Sequence, residues 1–358
     1  MLHNNAMTRE ITFHEAICEA TLLMMEADKS VFIYGEGVPD PKVIFGSTKG
    51  LKERFGDERV FDMPLAEGGM TGVGIGAALA GMRPIMTHQR IDFTLLAMDQ
   101  IVNHAAKRCY TSGGVQSVPL TIRTIIGRGW GQGSQHSQSL HGFYAHIPGL
   151  KVVMPVTPYD AKGLLIASIE DNNPVIFIEH RWLYNLTGHV PEGIYRVPIG
   201  SAKVLRAGTD ISIVGVSYMV IEALRAAEIL AGEGISAEVV DVRSLRPLDG
   251  ETILQSVGKT GRLIAVDTGW QTSGFCSEIV ALTAESLHGK FKCGPRRIGL
   301  PECPAPTAPA LANHYYPRAT EIVRVALEMM ERPIHSAIKE HESKVPLDVP
   351  DLNFPGPF

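Results

Sequence analysis

Short apolar runs of strand length alternate with helix-period segments along most of this chain, and that alternation admits few folds. Val31-Phe-Ile-Tyr34, Arg83 to His88, Pro119 to Ile126, Lys151 to Met154 and Pro174 to Glu179 read as strands of a covered sheet. Arg59 to Met63 is a shorter candidate. Helical patterns fall between them: from a Thr12/Glu15 capping box to about Glu26, from Gly72 to Ala80, from Phe93 to Lys107 and from Tyr159 to Ile169. Strands separated by helices imply a parallel sheet with right-handed crossovers. The pattern then recurs. Ile211 to Gly215, Ala237 to Asp241, Arg262 to Val266 and Arg297 to Gly299 read as strands, with helices Met219 to Gly232, Leu248 to Val257 and Ser277 to His288 among them. A last helix runs from Ala319 to Met330. The expected fold is therefore α/β: two three-layer α/β/α domains with mainly parallel sheets, for which 358 residues suffice.

The first domain is expected over residues 8–186 and the second over 200–334. Thr187 to Pro198, with two prolines and two glycines, is the linker candidate within 187–199. Residues 335–358 form a Pro-rich tail that regular structure cannot accommodate; it reads as a disordered end or an extended arm on a partner.

Charge and composition remove several function classes. With 33 Lys and Arg against 38 Asp and Glu, the net charge is −5, so no basic surplus exists to neutralise nucleic-acid phosphates. No apolar run is long enough to span a membrane, and Met1 to Glu10 lacks the apolar core of a secretory signal. Five cysteines, an odd and mostly scattered set, argue for thiols in a reducing compartment, with the cytoplasm expected.

Gly72-Val-Gly74-Ile-Gly-Ala77 matches a dinucleotide fingerprint, with Asp92 twenty residues after Gly72. A nicotinamide dehydrogenase is one reading of it. The fingerprint's first glycine turns directly off its strand, however, whereas here Pro64 to Thr71 intervenes. Close helix packing is the better account of these glycines.

What stands at the strand-to-helix junction is Glu67, in Met63-Pro-Leu-Ala-Glu67. A lone acid there can simply favour a helix N-terminus. Its company is more specific: Ala80-Gly-Met-Arg-Pro84, Asp99-Gln-Ile-Val-Asn103, Ser112-Gly-Gly114, Pro119-Leu-Thr-Ile-Arg123, Gln135-His-Ser-Gln138, Pro148-Gly-Leu-Lys-Val-Val153, Asp160-Ala-Lys-Gly-Leu164 and Asp171-Asn-Asn-Pro174 follow in order. The series resembles the β subunit of the thiamine-diphosphate-dependent E1 component of 2-oxo acid dehydrogenase complexes, of pyruvate, branched-chain or acetoin type. The resemblance runs from about Thr8 to Met330. It implies a pyrimidine-binding domain followed by a transketolase C-terminal domain, and an oxidoreductase that hands an acyl group to a lipoyl carrier.

Carried over residue by residue, the resemblance makes Glu67 the carboxylate on N1′ of the cofactor's aminopyrimidine. An acid is needed there because protonating N1′ makes the 4′-nitrogen a base for thiazolium C2. Phe93 matches the aromatic packed on the pyrimidine, and Gln89 lines the same pocket. His136 matches the histidine facing the thiazolium, tied to proton transfer and acyl handover; as a plain loop histidine in Gly127-Arg-Gly-Trp-Gly-Gln-Gly133 and its sequel it would have little to do. His141 is a candidate acceptor contact. Asp171 and Asn173 match a site for a structural monovalent cation, K⁺, though Asp-Asn-Asn-Pro is also an ordinary turn.

Two departures stand out. Arg90 occupies a position that is usually apolar or small, and an arginine there could read an anionic group on the substrate. The tail also runs past the family's usual end. In addition, the chain has no Gly-Asp-Gly; Gly56-Asp57-Glu58 and Leu248-Asp249-Gly250 are the nearest fragments. Enzymes that this chain resembles hold the diphosphate's Mg²⁺ on such a motif, so the resemblance implies that the metal comes with an α subunit. The family pattern implies a heterotetramer of two α and two β subunits, a β–β dimer contact and a lipoyl acyltransferase (E2) partner, with neither nucleic acid nor membrane. Competing readings are a split transketolase-like synthase that uses an aldehyde acceptor and a non-catalytic structural subunit.

Overall fold

The computed structural model describes residues 9–40, 43–129, 132–334, 346–351 and 353. Fourteen strands are present among them: β1 (Glu10–Thr12), β2 (Val31–Gly35), β3 (Val60–Phe61), β4 (Arg83–His88), β5 (Thr121–Ile126), β6 (Lys151–Val153), β7 (Val175–His180), β8 (Thr187–His189), β9 (Lys203–Arg206), β10 (Ile211–Gly215), β11 (Ala237–Asp241), β12 (Ser244–Arg246), β13 (Leu263–Trp270) and β14 (Arg296–Leu300). The first sheet has the order β12-β6-β7-β5-β4-β2-β3 and the second β14-β13-β10-β11-β9. Both are parallel except at one edge, where β12 and β9 run antiparallel to their neighbours. Helices cross between the strands, so the expected α/β architecture is what the chain adopts.

Local sequence explains most elements. Thr12 accepts from the Glu15 N–H at 3.3 Å and the Glu15 carboxylate accepts from the Thr12 N–H at 2.8 Å, a reciprocal cap that starts the helix Phe13–Ala27. Gly72 and Gly74 lie inside the helix Glu67–Leu79. A Cβ on Gly74 would stand 2.1 Å from the Tyr34 hydroxyl, which itself donates to the Met70 carbonyl at 2.9 Å. Gly74 lets helix and strand approach, Gly72 faces the Gln100 side chain, and neither forms a turn.

The helix expected over Phe93 to Lys107 is instead segmented. Ile91–Thr94 is a single turn, Leu95–Ala97 is 3₁₀ and Gln100–Ala105 is π. The buried apolar residues Ala97, Ile101 and Ala105 recur every four positions, wider than the α period, and a wider turn keeps them on one face.

Two features bear on the expected domain division. Thr187–His189, the start of the expected linker, is strand β8 paired with β1 in register Ile11–Gly188. Strand β12 leaves the second unit and joins the first sheet beside β6, with Ser244 opposite Val153. Arg243, at φ 54°, turns the chain into that crossing. The apolar interior is shared accordingly, since Val156 and Phe177 cluster with Ile211 and Val239. All five cysteines are free thiols. Among the described residues, no helix is long and apolar enough to cross a membrane.

Candidate active site

The carboxyl ends of adjacent parallel strands are where α/β sheets place ligand-binding loops. At this edge β2 is followed by Glu36, the chain after β3 leads to Glu67, β4 ends in His88 and is followed by Gln89, and β5 ends before Gly127. Glu67 is the first residue of the helix Glu67–Leu79, whose N-cap, Ala66, supplies no side-chain bond. A carboxylate in the first turn faces unpaired N–H groups and the positive end of the helix dipole, which offsets its burial. It is 7% exposed.

Glu36 lies beside it. Burial, then the charges of Glu67 and Asp62 and a hydrogen bond to Glu67, push the Glu36 carboxyl above its ordinary range. One of its oxygens, Oε1, is buried without a partner. Neither acid forms an ion pair with a Lys, Arg or His among the described residues. Two adjoining carboxyls with an orphaned oxygen and no cation suit a ligand that brings its own donors or positive charge, and an aminopyrimidine fits that description.

The next strand end adds the wall of the site. Gln89 is exposed and its Nε2 donates to the Glu36 carbonyl at 3.1 Å. His88 is buried with Nε2 unpartnered, and burial pushes its pKa down to about 4, so it is neutral. Phe93 is half-buried in the turn Ile91–Thr94. The ring of His136 stands edge-on to it, with centroids 5.2 Å apart. His136 itself is exposed. The loop that presents it is tied down from below: Gln138 donates to Asp92 at 2.7 Å, and Ser137 Oγ donates to the Gln132 carbonyl at 3.3 Å.

Three residues singled out in the sequence have contacts that bear on their expected roles. Arg90 is 2% exposed, and its guanidinium donates to the Gly127 carbonyl at 2.7 Å and to Gln132 Oε1 at 2.5 Å. Burial lowers its pKa to about 10, which leaves it charged at neutral pH. It sits under the glycine-rich loop and bonds that loop through both amino groups. His141 is 1% exposed with Nε2 3.0 Å from Asp267 on β13, so it joins the two sheets' domains inside the core instead of facing an acceptor. Asp171 is ion-paired to Lys151 and accepts from the Asn173 N–H at 2.9 Å. Its carbonyl accepts from Arg83 at 3.1 Å, so protein cations already occupy the place expected for K⁺.

Sequence reasoning missed Glu36, Asp267 and Arg128. Glu36 carried a signal, an acid between two glycines at a strand end. Arg128 and Asp267 carried none, since each finds its partner far away in the chain.

Comparison with known proteins gives a consistent picture. Residues 9–187 match the family "Transketolase, pyrimidine binding domain" and residues 200–322 match "Transketolase, C-terminal domain". The chain is 45% identical over 339 residues to the β subunit of acetoin:2,6-dichlorophenolindophenol oxidoreductase of Cupriavidus necator, covering 92% of this chain and 100% of that one. It is 42% identical to the pyruvate dehydrogenase E1 component subunit beta-1, mitochondrial, of Arabidopsis thaliana, covering 89% of each. The β subunit of 2-oxoisovalerate dehydrogenase of Bacillus subtilis is 42% identical, covering 90% of this chain and 99% of that one. Among solved structures, a split-gene transketolase described as an inactive β tetramer superposes with TM-score 0.73 at 23% identity, covering 90% of this chain and 99% of that one, a likeness of fold.

Proposed function

We propose a function from one premise: the chain belongs to the family of E1 β subunits of 2-oxo acid dehydrogenases, assembled from transketolase pyrimidine-binding and C-terminal domains. It is the β half of a thiamine-diphosphate-dependent oxidoreductase. That enzyme decarboxylates a 2-oxo acid or cleaves acetoin, and passes the acyl group to a lipoyl-carrier protein. The observation that carries this reading is Glu67, buried at a helix start beside a second acid with an orphaned oxygen.

Thiamine diphosphate, when bound, supplies the nucleophilic carbon and the electron sink. The residues of this chain do the rest. Glu67 would accept a hydrogen bond from protonated N1′ and hold the proton there, with Phe93 against the pyrimidine and Gln89 at its edge. His136, exposed on its loop against Phe93, moves a proton at acyl handover. Arg90, Ser137 and Gln138 hold that loop in place.

The remaining parts of the site belong to a partner. The Mg²⁺ that carries the diphosphate is assigned to the α subunit, because this chain has no Gly-Asp-Gly. A structural K⁺ at Asp171 and Asn173 fits less well, because Lys151 and Arg83 stand there, and no step depends on it. Leu65, Val73 and Leu96 around the Glu67 helix are 84%, 56% and 67% exposed, an apolar face suited to an α subunit. The assembly is a heterotetramer of two α and two β subunits with a β–β dimer contact, docked to a lipoyl acyltransferase. The five free cysteines favour a reducing compartment, the cytoplasm.

Titrating the purified chain with thiamine diphosphate and Mg²⁺, with and without the α subunit, tests this. The chain alone should bind weakly and turn nothing over, and the α subunit should restore both. Micromolar, Mg²⁺-dependent binding with decarboxylase activity and no second polypeptide would overturn it.

A further inference from the structure

The C-terminal-domain match ends at residue 322, yet six residues well beyond it, Pro346–Asp351, are pinned to the chain's interior. Two buried arginines hold them. Arg318 donates through Nη1 to the carbonyls of Leu347 at 3.1 Å and Val349 at 3.0 Å, and through Nη2 to that of Pro350 at 3.4 Å. Arg318 is fixed in turn by Glu222, whose Oε1 accepts from its Nε at 3.1 Å. The Leu347 N–H donates to Asn313 Oδ1 at 2.9 Å. The second arginine is Arg128, whose side chain is fully buried 3.3 Å from the carboxylate of Asp348, itself only 7% exposed.

Arg128 opens the glycine-rich loop that leads to His136. Its guanidinium donates to the carbonyls of Gln132 at 3.1 Å and Thr307 at 2.8 Å, and to that of Pro306. The Arg128 carbonyl accepts from the Trp182 indole at 2.7 Å. The loop also lies close to Thr307, where a Cβ on Gly133 would stand 2.2 Å from Oγ1. Neutral carbonyls take the guanidinium's Nη donors, its Nε is buried without a partner, and the charge is met by one carboxylate among the described residues, that of Asp348.

We infer that Pro346–Asp351 is a strap that positions the loop carrying His136, with Asp348 acting as a positioning residue through Arg128. Arg318 fixes the strap by its backbone, so one side chain, Asp348, is presented at a set depth against the loop's anchor. Arg90 already holds this loop at Gly127 and Gln132, and Asp92 holds it at Gln138; the strap adds a hold at Arg128. The catalytic side of this inference rests on the reading of His136 given above; the structural side does not.

Hydrogen exchange on the full chain assembled with its α subunit tests the inference. Asp348→Ala is expected to speed exchange at residues 127–129 and 132–140 by about tenfold, with β10 unchanged. Acyl transfer to the carrier should then fall more than decarboxylation read with an artificial electron acceptor. Unchanged loop exchange overturns the strap, and so does an equal loss of protection in β10, which would make Asp348 a residue of general stability. Asp348→Asn keeps the size and one acceptor oxygen and serves where the alanine variant does not fold; it should show the same local change to a lesser degree, and none at all overturns the inference equally. A looser loop with both half-reactions intact supports the strap and counts against His136, so the two ideas fail separately.

Discussion

The imidazole of His136 meets the ring of Phe93 edge-on, at 83° with centroids 5.2 Å apart, so two residues 43 positions apart in the chain share one wall. If His136 serves acyl handover, its removal spares the earlier half-reaction. His136→Ala is therefore expected to lose carrier acylation by about 2–4 orders of magnitude while decarboxylation with an artificial acceptor falls much less. Equal losses in the two assays would place its action earlier.

Glu67→Gln keeps the shape and one acceptor at the helix start but cannot hold the proton. The fold should survive, and C2 proton exchange of the bound cofactor, followed by NMR in the reconstituted enzyme, should slow by about 2–4 orders of magnitude. Exchange at the wild-type rate would remove Glu67 from the mechanism.

Arg90 holds the loop by two hydrogen bonds to the Gly127 carbonyl and Gln132 Oε1. A substrate-reading arginine would raise KM when removed; a loop-holding one lowers kcat. Arg90→Ala is expected to lower kcat for acyl transfer with little change in KM, and Arg90→Lys should rescue poorly, because an ammonium cannot reproduce the planar two-pronged contact. A rise in KM alone would return Arg90 to the substrate.

The pair His141–Asp267 joins the two domains through a hydrogen bond of 3.0 Å between buried side chains. A double-mutant cycle with His141→Ala and Asp267→Asn, measured by denaturant unfolding, should give a coupling of about 1.5–3 kcal/mol. Additive losses would show that the contact does not tie the domains.

Asp241 ends β11 fully buried. Burial first, then the charge of Asp160, raises its pKa to about 8. Its Oδ1 accepts from the Arg243 N–H at 3.1 Å, while Oδ2 has no partner. An acid whose pKa is raised on folding binds its proton more tightly in the native state, so its contribution is full below the unfolded-state pKa, about 3.9, and is lost as pH rises toward 8. Asp241→Asn keeps the contact without the charge. Wild-type stability relative to this variant should fall between about pH 4 and 8 with a slope of up to about 1.4 kcal/mol per pH unit. A pH-independent difference would mean that Asp241 does not titrate there.

How much of this was legible in the sequence follows from the range of the forces involved. The apolar alternation of β10 and β11 and the Thr12–Glu15 cap are local, and both were read where they occur. Glu67 was legible because a strand end, a turn and a helix start lie within a few residues. The segmented stretch after Phe93 was misread, since an apolar spacing of four mimics an α-helix until packing shows which side is buried.

The sequence by itself determined the layers, the order of the elements and the acid at the helix start, because hydrophobic periodicity and capping act within about a turn of helix or a strand. The tertiary structure alone decided that Glu36 adjoins Glu67, that Arg90 lies beneath a loop, that β12 crosses to the other sheet and that Asp348 reaches Arg128. Each of these brings together residues tens to hundreds of positions apart. A buried charge takes whichever partner the packed chain delivers, and no local period encodes that choice.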